Sequence, residues 1–150
     1  MNQLRRAFFK IAGAALAVAG GLASPGRALA AAWNKAGFES KAMAEAIKAL
    51  GATGATESKD IVITAPDIAE NGAVVPVAVV SRIPNTRTIS ILSEKNPFPL
   101  AATFDLSGVD AYVSTRVKMS QTSNVRVIVQ ADGRFYTAVR EVKVTIGGCG

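Results

Sequence analysis

The sequence predicts a mainly β protein: an antiparallel β-sandwich of about seven strands with one helix near its N-terminus. Three observations lead there. From residue 61 onward, apolar residues recur with a period of two in runs rich in Val, Ile, Thr, Tyr and Phe, the pattern of strands that bury one face. Those runs are separated by turn chemistry such as Glu70-Asn71-Gly72, Gly108-Val109-Asp110 and Asp132-Gly133. Only one stretch, near residue 40, has apolar residues three to four apart.

The first 30 residues stand outside this domain. Arg5 and Arg6 precede Phe8, Phe9 and Lys10, a 13-residue apolar run from Ile11 to Ala23 follows, and Ala28-Leu29-Ala30 offers a cleavage site. The run is shorter than the roughly 20 residues a hydrocarbon core requires, so it reads as a signal peptide and not as a membrane span. The arginine pair with its aromatic and lysine neighbours resembles a twin-arginine signal, which exports folded proteins to the periplasm. Cleavage after Ala30 leaves a chain with no membrane attachment. It also removes Arg5, Arg6, Lys10 and Arg27 but no acidic residue, so the formal charge of +6 falls to +2. The basic character is largely that of the leader, and nucleic acid is a poor candidate partner. The remaining 120 residues suit one domain.

The helix lies in "FESKAMAEAIKALG", where Phe38, Ala42, Met43, Ala46, Ile47 and Leu50 form an apolar stripe of about three turns. Gly51 is placed to stop it in the left-handed C′ position. The polar face mixes Glu39, Lys41, Glu45 and Lys48, which favours packing on its own domain over a membrane surface. "GATGATESKD" then reads as a connection.

The strands follow as "IVITAP", "AVVPVAVVSRI", "RTISILSEK", "LAATFDLS", "AYVSTRVKMS", "NVRVIVQAD" and "RFYTAVREVKVTI". Asp132-Gly133 between the last two predicts a type I′ hairpin, because that turn needs positive φ at both central residues. Val125, Val127, Val129 and Ala131 share a core face, and Arg126 and Gln130 share the other with Ile128. Pro76 cannot donate to a ladder, so its part of the strand reads as an edge or a bulge. Pro97 and Pro99 mark an extended turn between strands.

The chemistry is bounded by absences. The sequence has no histidine, which removes Ser-His-Asp triads, Cys-His couples and His-ligated metal sites within this chain. One cysteine cannot build a zinc or iron–sulfur cage. Asp67 with Glu70, and Asp105 with Asp110, are possible carboxylate pairs, but turn carboxylates ordinarily serve solvation and Asx turns. No catalytic residue, metal or cofactor is therefore assigned.

Cys149 remains. A packing cysteine is enclosed by apolar neighbours, yet Cys149 is flanked by Gly147, Gly148 and Gly150 in "VKVTIGGCG". These glycines supply no side-chain surface and lose much entropy on ordering, so residues 147–150 are expected to form a flexible arm beyond a domain of residues 31–146. An unpaired cysteine in an exported protein is incidental, forms an interchain disulfide, or is a handle presented to another protein's active site. The handle reading is favoured, because a thin glycine arm can enter narrow clefts. No cation adjoins the thiol in sequence, so its activation falls to the enzyme that receives it.

The glycine-flanked terminal cysteine, the leader, "APDIAENGAVVPV", "NPFPLAATF" and "VKMSQTSNVRVIVQADGRFYTAVREVKVTIGGCG" resemble the SoxY family, the sulfur-carrier subunits of the periplasmic thiosulfate-oxidising system. The family tail usually has two glycines after the cysteine, and here Gly150 alone follows. The resemblance implies an immunoglobulin-like sandwich that pairs with a smaller all-β SoxZ subunit, and Cys149 as the point of covalent sulfur attachment. It implies a haem cytochrome complex that joins thiosulfate to Cys149, a hydrolase that releases sulfate, and a sulfane dehydrogenase as a further candidate partner. The chain would be carrier and substrate, not an enzyme. Readings from other classes are an exported β-sandwich interaction protein and a thiol redox protein, each working through interchain disulfides. The C-terminal half also carries Arg116, Lys118, Arg126, Arg134, Arg140 and Lys143. They read first as a solvated strand face and second as a field that steers anionic enzymes or shelters an anionic adduct.

Overall fold

The computed structural model describes residues 33–145. The chain divides into two units, Met1–Trp33 and Asn34–Gly150, and of the first only Trp33 falls within the described residues.

The expected sandwich is present. All seven predicted runs are strands: β2 (Ile61–Thr64), β4 (Val75–Ser81), β5 (Thr86–Ser93), β6 (Leu100–Asp105), β7 (Tyr112–Val117), β8 (Ser123–Ala131) and β9 (Arg134–Val144). Two short strands join them, β1 (Thr56–Glu57) and β3 (Ile68–Ala69), both paired in parallel with β9. The larger sheet runs β1-β9-β8-β5-β6, with β3 also on β9, and the smaller runs β2-β4-β7. Between them lies a core of alternating residues. Ile61, Ile63, Val75, Val77, Val79, Val113 and Val117 face Ile89, Ile91, Val125, Val127, Val129 and Val142. Asp132 (φ 49°) and Gly133 (φ 73°) form the hairpin turn between β8 and β9, each in the conformation a type I′ turn requires. Pro76 lies beyond the end of the β2 pairing, which stops at Thr64 opposite Ala78, so that part of β4 has only β7 as a neighbour. A missing N–H is tolerated there.

The N-terminal helix differs from the single three-turn element expected. It is two short helices, α1 (Lys35–Glu39) and α2 (Met43–Ala49). Ser40 and Ala42 are extended between them, so Phe38 and Ala42 do not share a helix with Met43 to Leu50. Ser40 offers a local reason, since its hydroxyl donates to the Ala36 carbonyl at 2.6 Å and ends α1 with a side-chain bond that competes with continued helix. Asn34 fastens the pair: its side chain accepts from Gly37 N–H at 3.0 Å and donates to the Ala49 carbonyl at 2.9 Å. At the far end Gly51 has φ 73°. Its N–H donates to Lys48 and the Ala52 N–H to Ile47, the paired bonds of a Schellman stop.

These helices cover the outer face of the larger sheet. Ala46 and Ala52, with Phe38, Met43, Ile47 and Leu50, pack on Leu92, Leu100, Ile128 and Phe135 in a second core. That explains Ile128, an apolar residue on the otherwise polar face of β8. Among the described residues no helix is long and apolar enough to cross a membrane.

Candidate functional site

The C-terminal segment is reached through β9, so what fixes the end of that strand sets where any terminal thiol starts. Lys143 N–H donates to the Asp67 carbonyl at 2.9 Å and Thr145 N–H to the Ala69 carbonyl at 3.1 Å, the bonds that make β3 parallel to β9. The Thr145 hydroxyl donates to the Glu70 carbonyl at 3.4 Å. On the opposite edge Thr122 takes both polar groups of Val144: its Oγ1 accepts the N–H at 2.9 Å and donates to the carbonyl at 3.4 Å. An ion pair of 2.8 Å between Arg140 and Asp67 holds the β3 segment to β9, and Arg140 also donates to the Ile63 carbonyl at 3.5 Å. The chain is thus held from one side at Val144, by Thr122, and from the other at Lys143 and Thr145, by the β3 segment.

Three loops surround that exit, because β5 and β7 end, and β4, β6 and β8 begin, at the end of the sandwich where β9 finishes. They are residues 67–74, 94–99 and 118–122. Asn96 ties two of them together, donating to the Lys118 carbonyl at 2.6 Å and accepting from Ser120 N–H at 3.0 Å and Ser120 Oγ at 2.9 Å. Met119 N–H donates to the Gly72 carbonyl at 2.7 Å and joins the third. Lys95 N–H donates to Ser123 Oγ at 3.1 Å. The Pro97–Pro99 turn falls inside this group as the connection between β5 and β6 that the sequence implied, with Pro99 buried and Phe98 exposed.

The expected site residues divide accordingly. Cys149, Gly147, Gly148 and Gly150 lie outside the described residues, as do Arg5 and Arg6. One carboxylate of each possible pair has a structural partner. Asp67 holds Arg140, and Asp105 accepts from Ser107 Oγ at 2.6 Å and Ser107 N–H at 3.1 Å. The Ser107 hydroxyl, then its N–H, and the charge of Arg87 hold the Asp105 carboxyl below its usual range. The basic residues do not form one field. Arg126 is bound to Glu94 at 2.8 Å and Arg140 to Asp67, and Arg134 sits at the far hairpin, while Arg116, Lys118 and Lys143 lie toward the end where β9 finishes. Thr122 and Asn96 escaped the sequence reading. Their partners lie 22 to 24 residues away, and a polar loop has no periodicity to reveal them.

The comparisons agree with this architecture. A family model described as "Sulfur oxidation protein SoxY" matches residues 47–149. Among solved structures, the sulfur carrier protein SoxY from Chlorobium limicola f thiosulfatophilum is similar, with 47% identity and a TM-score of 0.56 over 66% of this chain and 93% of that one. A superoxide reductase (neelaredoxin) from Ignicoccus hospitalis shares the fold at 20% identity and a TM-score of 0.50, over 62% of this chain and 89% of that one. No curated protein matches.

Proposed function

The chain belongs to the SoxY family of sulfur oxidation proteins, and from that premise we propose that it is a periplasmic sulfur carrier whose Cys149 binds sulfur intermediates covalently and presents them to partner enzymes. The observation that carries this reading is the reach of the family match, which extends to residue 149 and so includes the cysteine, together with 47% identity to a sulfur carrier. The anchored end of β9 supports it, since Val144 is held by Thr122 on one edge and Thr145 by Ala69 and Glu70 on the other, so a segment leaving from there starts at a fixed point on the domain.

The chemistry proposed is balanced without a cofactor in this chain. A haem cytochrome complex takes two electrons as the Cys149 thiol loses its proton and forms a sulfur–sulfur bond with thiosulfate. A hydrolase then directs water at the terminal sulfone. The outer sulfur–sulfur bond breaks, its electron pair stays with a persulfide on Cys149, and sulfate leaves with the oxygen of water. A sulfane dehydrogenase is a candidate for the sulfur that remains. Tethering keeps each intermediate at high effective concentration for the next enzyme. The carrier works beside a SoxZ-like all-β subunit after twin-arginine export and removal of residues 1–30.

Intact-mass spectrometry of the protein from native periplasm tests this. The expected result is a chain beginning at Ala31 with sulfur adducts that disappear in Cys149→Ser, a variant whose stability stays within about 0.5 kcal/mol of the parent. Disulfide-linked chains without adducts would favour a redox or structural thiol. A loss of several kcal/mol in Cys149→Ser would make the cysteine part of the fold.

A further inference from the structure

We infer that the loops around the exit of β9 form a docking platform for the enzymes that act on Cys149, fitted to a protein whose active-site cleft is rimmed by apolar and acidic side chains. This rests on the carrier reading and adds to it a surface on the body of the domain. Reach is the first reason. Cys149 is the fourth residue after Thr145, and a fully extended chain spans at most about 3.3–3.6 Å per residue, so its Cα lies within about 14 Å of an anchored point. A cleft deep enough to exclude water around the thiol consumes most of that length. The rim of the cleft must then meet the loops at residues 67–74, 94–99 and 118–122.

What the rim meets is the second reason. Ile68, Val74 and Phe98 are 57%, 53% and 50% exposed, one on each of β3, the 3-10 turn before β4, and the β5–β6 loop. Lys95, Lys118 and Lys143 are exposed beside them, and none forms an ion pair among the described residues. The register places Lys143 next to Ile68, and the β4–β7 pairing of Val75 with Val117 continues toward Val74 and Lys118. Of the nearby carboxylates, Glu94 and the exposed Asp67 are each paired with an arginine, Arg126 and Arg140, and Glu70 and Glu141 are exposed without an ion pair among the described residues. Apolar side chains interleaved with free cations are complementary to an apolar, acidic rim.

The third reason is rigidity. Asn96 locks the 94–99 loop to the 118–122 loop, and the Met119 bond locks that to Gly72. A platform already in shape loses little entropy on docking, which offsets the ordering of a glycine arm.

The test compares two variants, Phe98→Ser and Lys95→Glu/Lys118→Glu, with the parent protein. Each is incubated with thiosulfate and periplasmic extract of the source organism, and adducts on Cys149 are followed by intact mass. Iodoacetamide alkylation of the same proteins measures the thiol alone. The platform predicts loading about tenfold slower in each variant, the size of losing one interface anchor, with alkylation unchanged. The lysine variant should also lose much of the salt dependence of loading. Loading at the parental rate in both variants overturns the platform while the carrier reading stands. Equal slowing of alkylation overturns it too, because the effect would then lie in the thiol. If Phe98→Ser lowers Tm, the lysine variant, altered only at exposed positions, decides. If the parent protein gains no adduct, the carrier reading falls and the platform with it.

Discussion

At the scale of single residues, polar side chains do most of the fastening at the sandwich ends, and Asp105 shows how. It is the last residue of β6, where its carboxylate accepts two bonds from Ser107. Those bonds favour the charged form, and the folded protein therefore holds the group below the ordinary carboxylate range. A depressed folded pKa contributes stability that is complete above the unfolded value and is lost as pH falls through the folded one. NMR titration should place the Asp105 midpoint below that of an unfolded peptide, and Ser107→Ala should move it back up. A midpoint unchanged by Ser107→Ala would assign the shift to the backbone N–H of residue 107 and the charge of Arg87. The same scale separates what a sequence reveals. Cys149 stood out because the residues on either side of it, Gly148 and Gly150, carry no side chain to enclose a thiol. Thr122 and Asn96 did not, because their importance lies in carbonyls and amides that only the folded chain brings near.

At the scale of elements, the legible parts were those with a long period. Seven runs of alternating residues became seven strands, and the Asp132-Gly133 turn formed as its positive φ values required. β1 and β3 escaped because two residues carry no period, and their parallel pairing with β9 depends on where the chain happens to run. The helix was legible as an apolar stripe but not as two pieces, since the break rests on Ser40 bonding back to Ala36 and on Asn34 bridging to Ala49. Burial on both faces of β5 tests the helical layer. Ile89 and Ile91 point into the sandwich, while Leu92 points out beneath the helices and is fully buried there. Leu92→Ala should therefore cost about 2–5 kcal/mol, as an enclosed core leucine does, in chemical denaturation. A cost below about 0.5 kcal/mol, typical of a surface site, would mean that α1 and α2 do not stay docked in solution.

At the scale of the whole molecule, the described domain and the proposed arm divide the work, one supplying a fixed base and the other a moving thiol. The all-β partner belongs to this scale, and co-purification of the chain from native extract should give a stable heterodimer; a monomer alone would remove the partner from the proposal. The division itself can be tested by stiffening the link. Replacing both Gly147 and Gly148 with proline fixes φ near −65° at each and adds bulk to a chain that must thread a narrow cleft. Among the described residues the last ladder contact is that of Thr145, two residues earlier, so on the arm reading Tm should hold within the range of a surface change. Iodoacetamide needs no cleft, and alkylation of Cys149 should keep its rate. Enzymatic loading with thiosulfate should slow by an order of magnitude or more, because each docking then has to accommodate a conformation the cleft does not fit. Parental loading would show that the glycines serve no passage into an enzyme, and a lowered Tm would place residues 147 and 148 within the fold instead of beyond it.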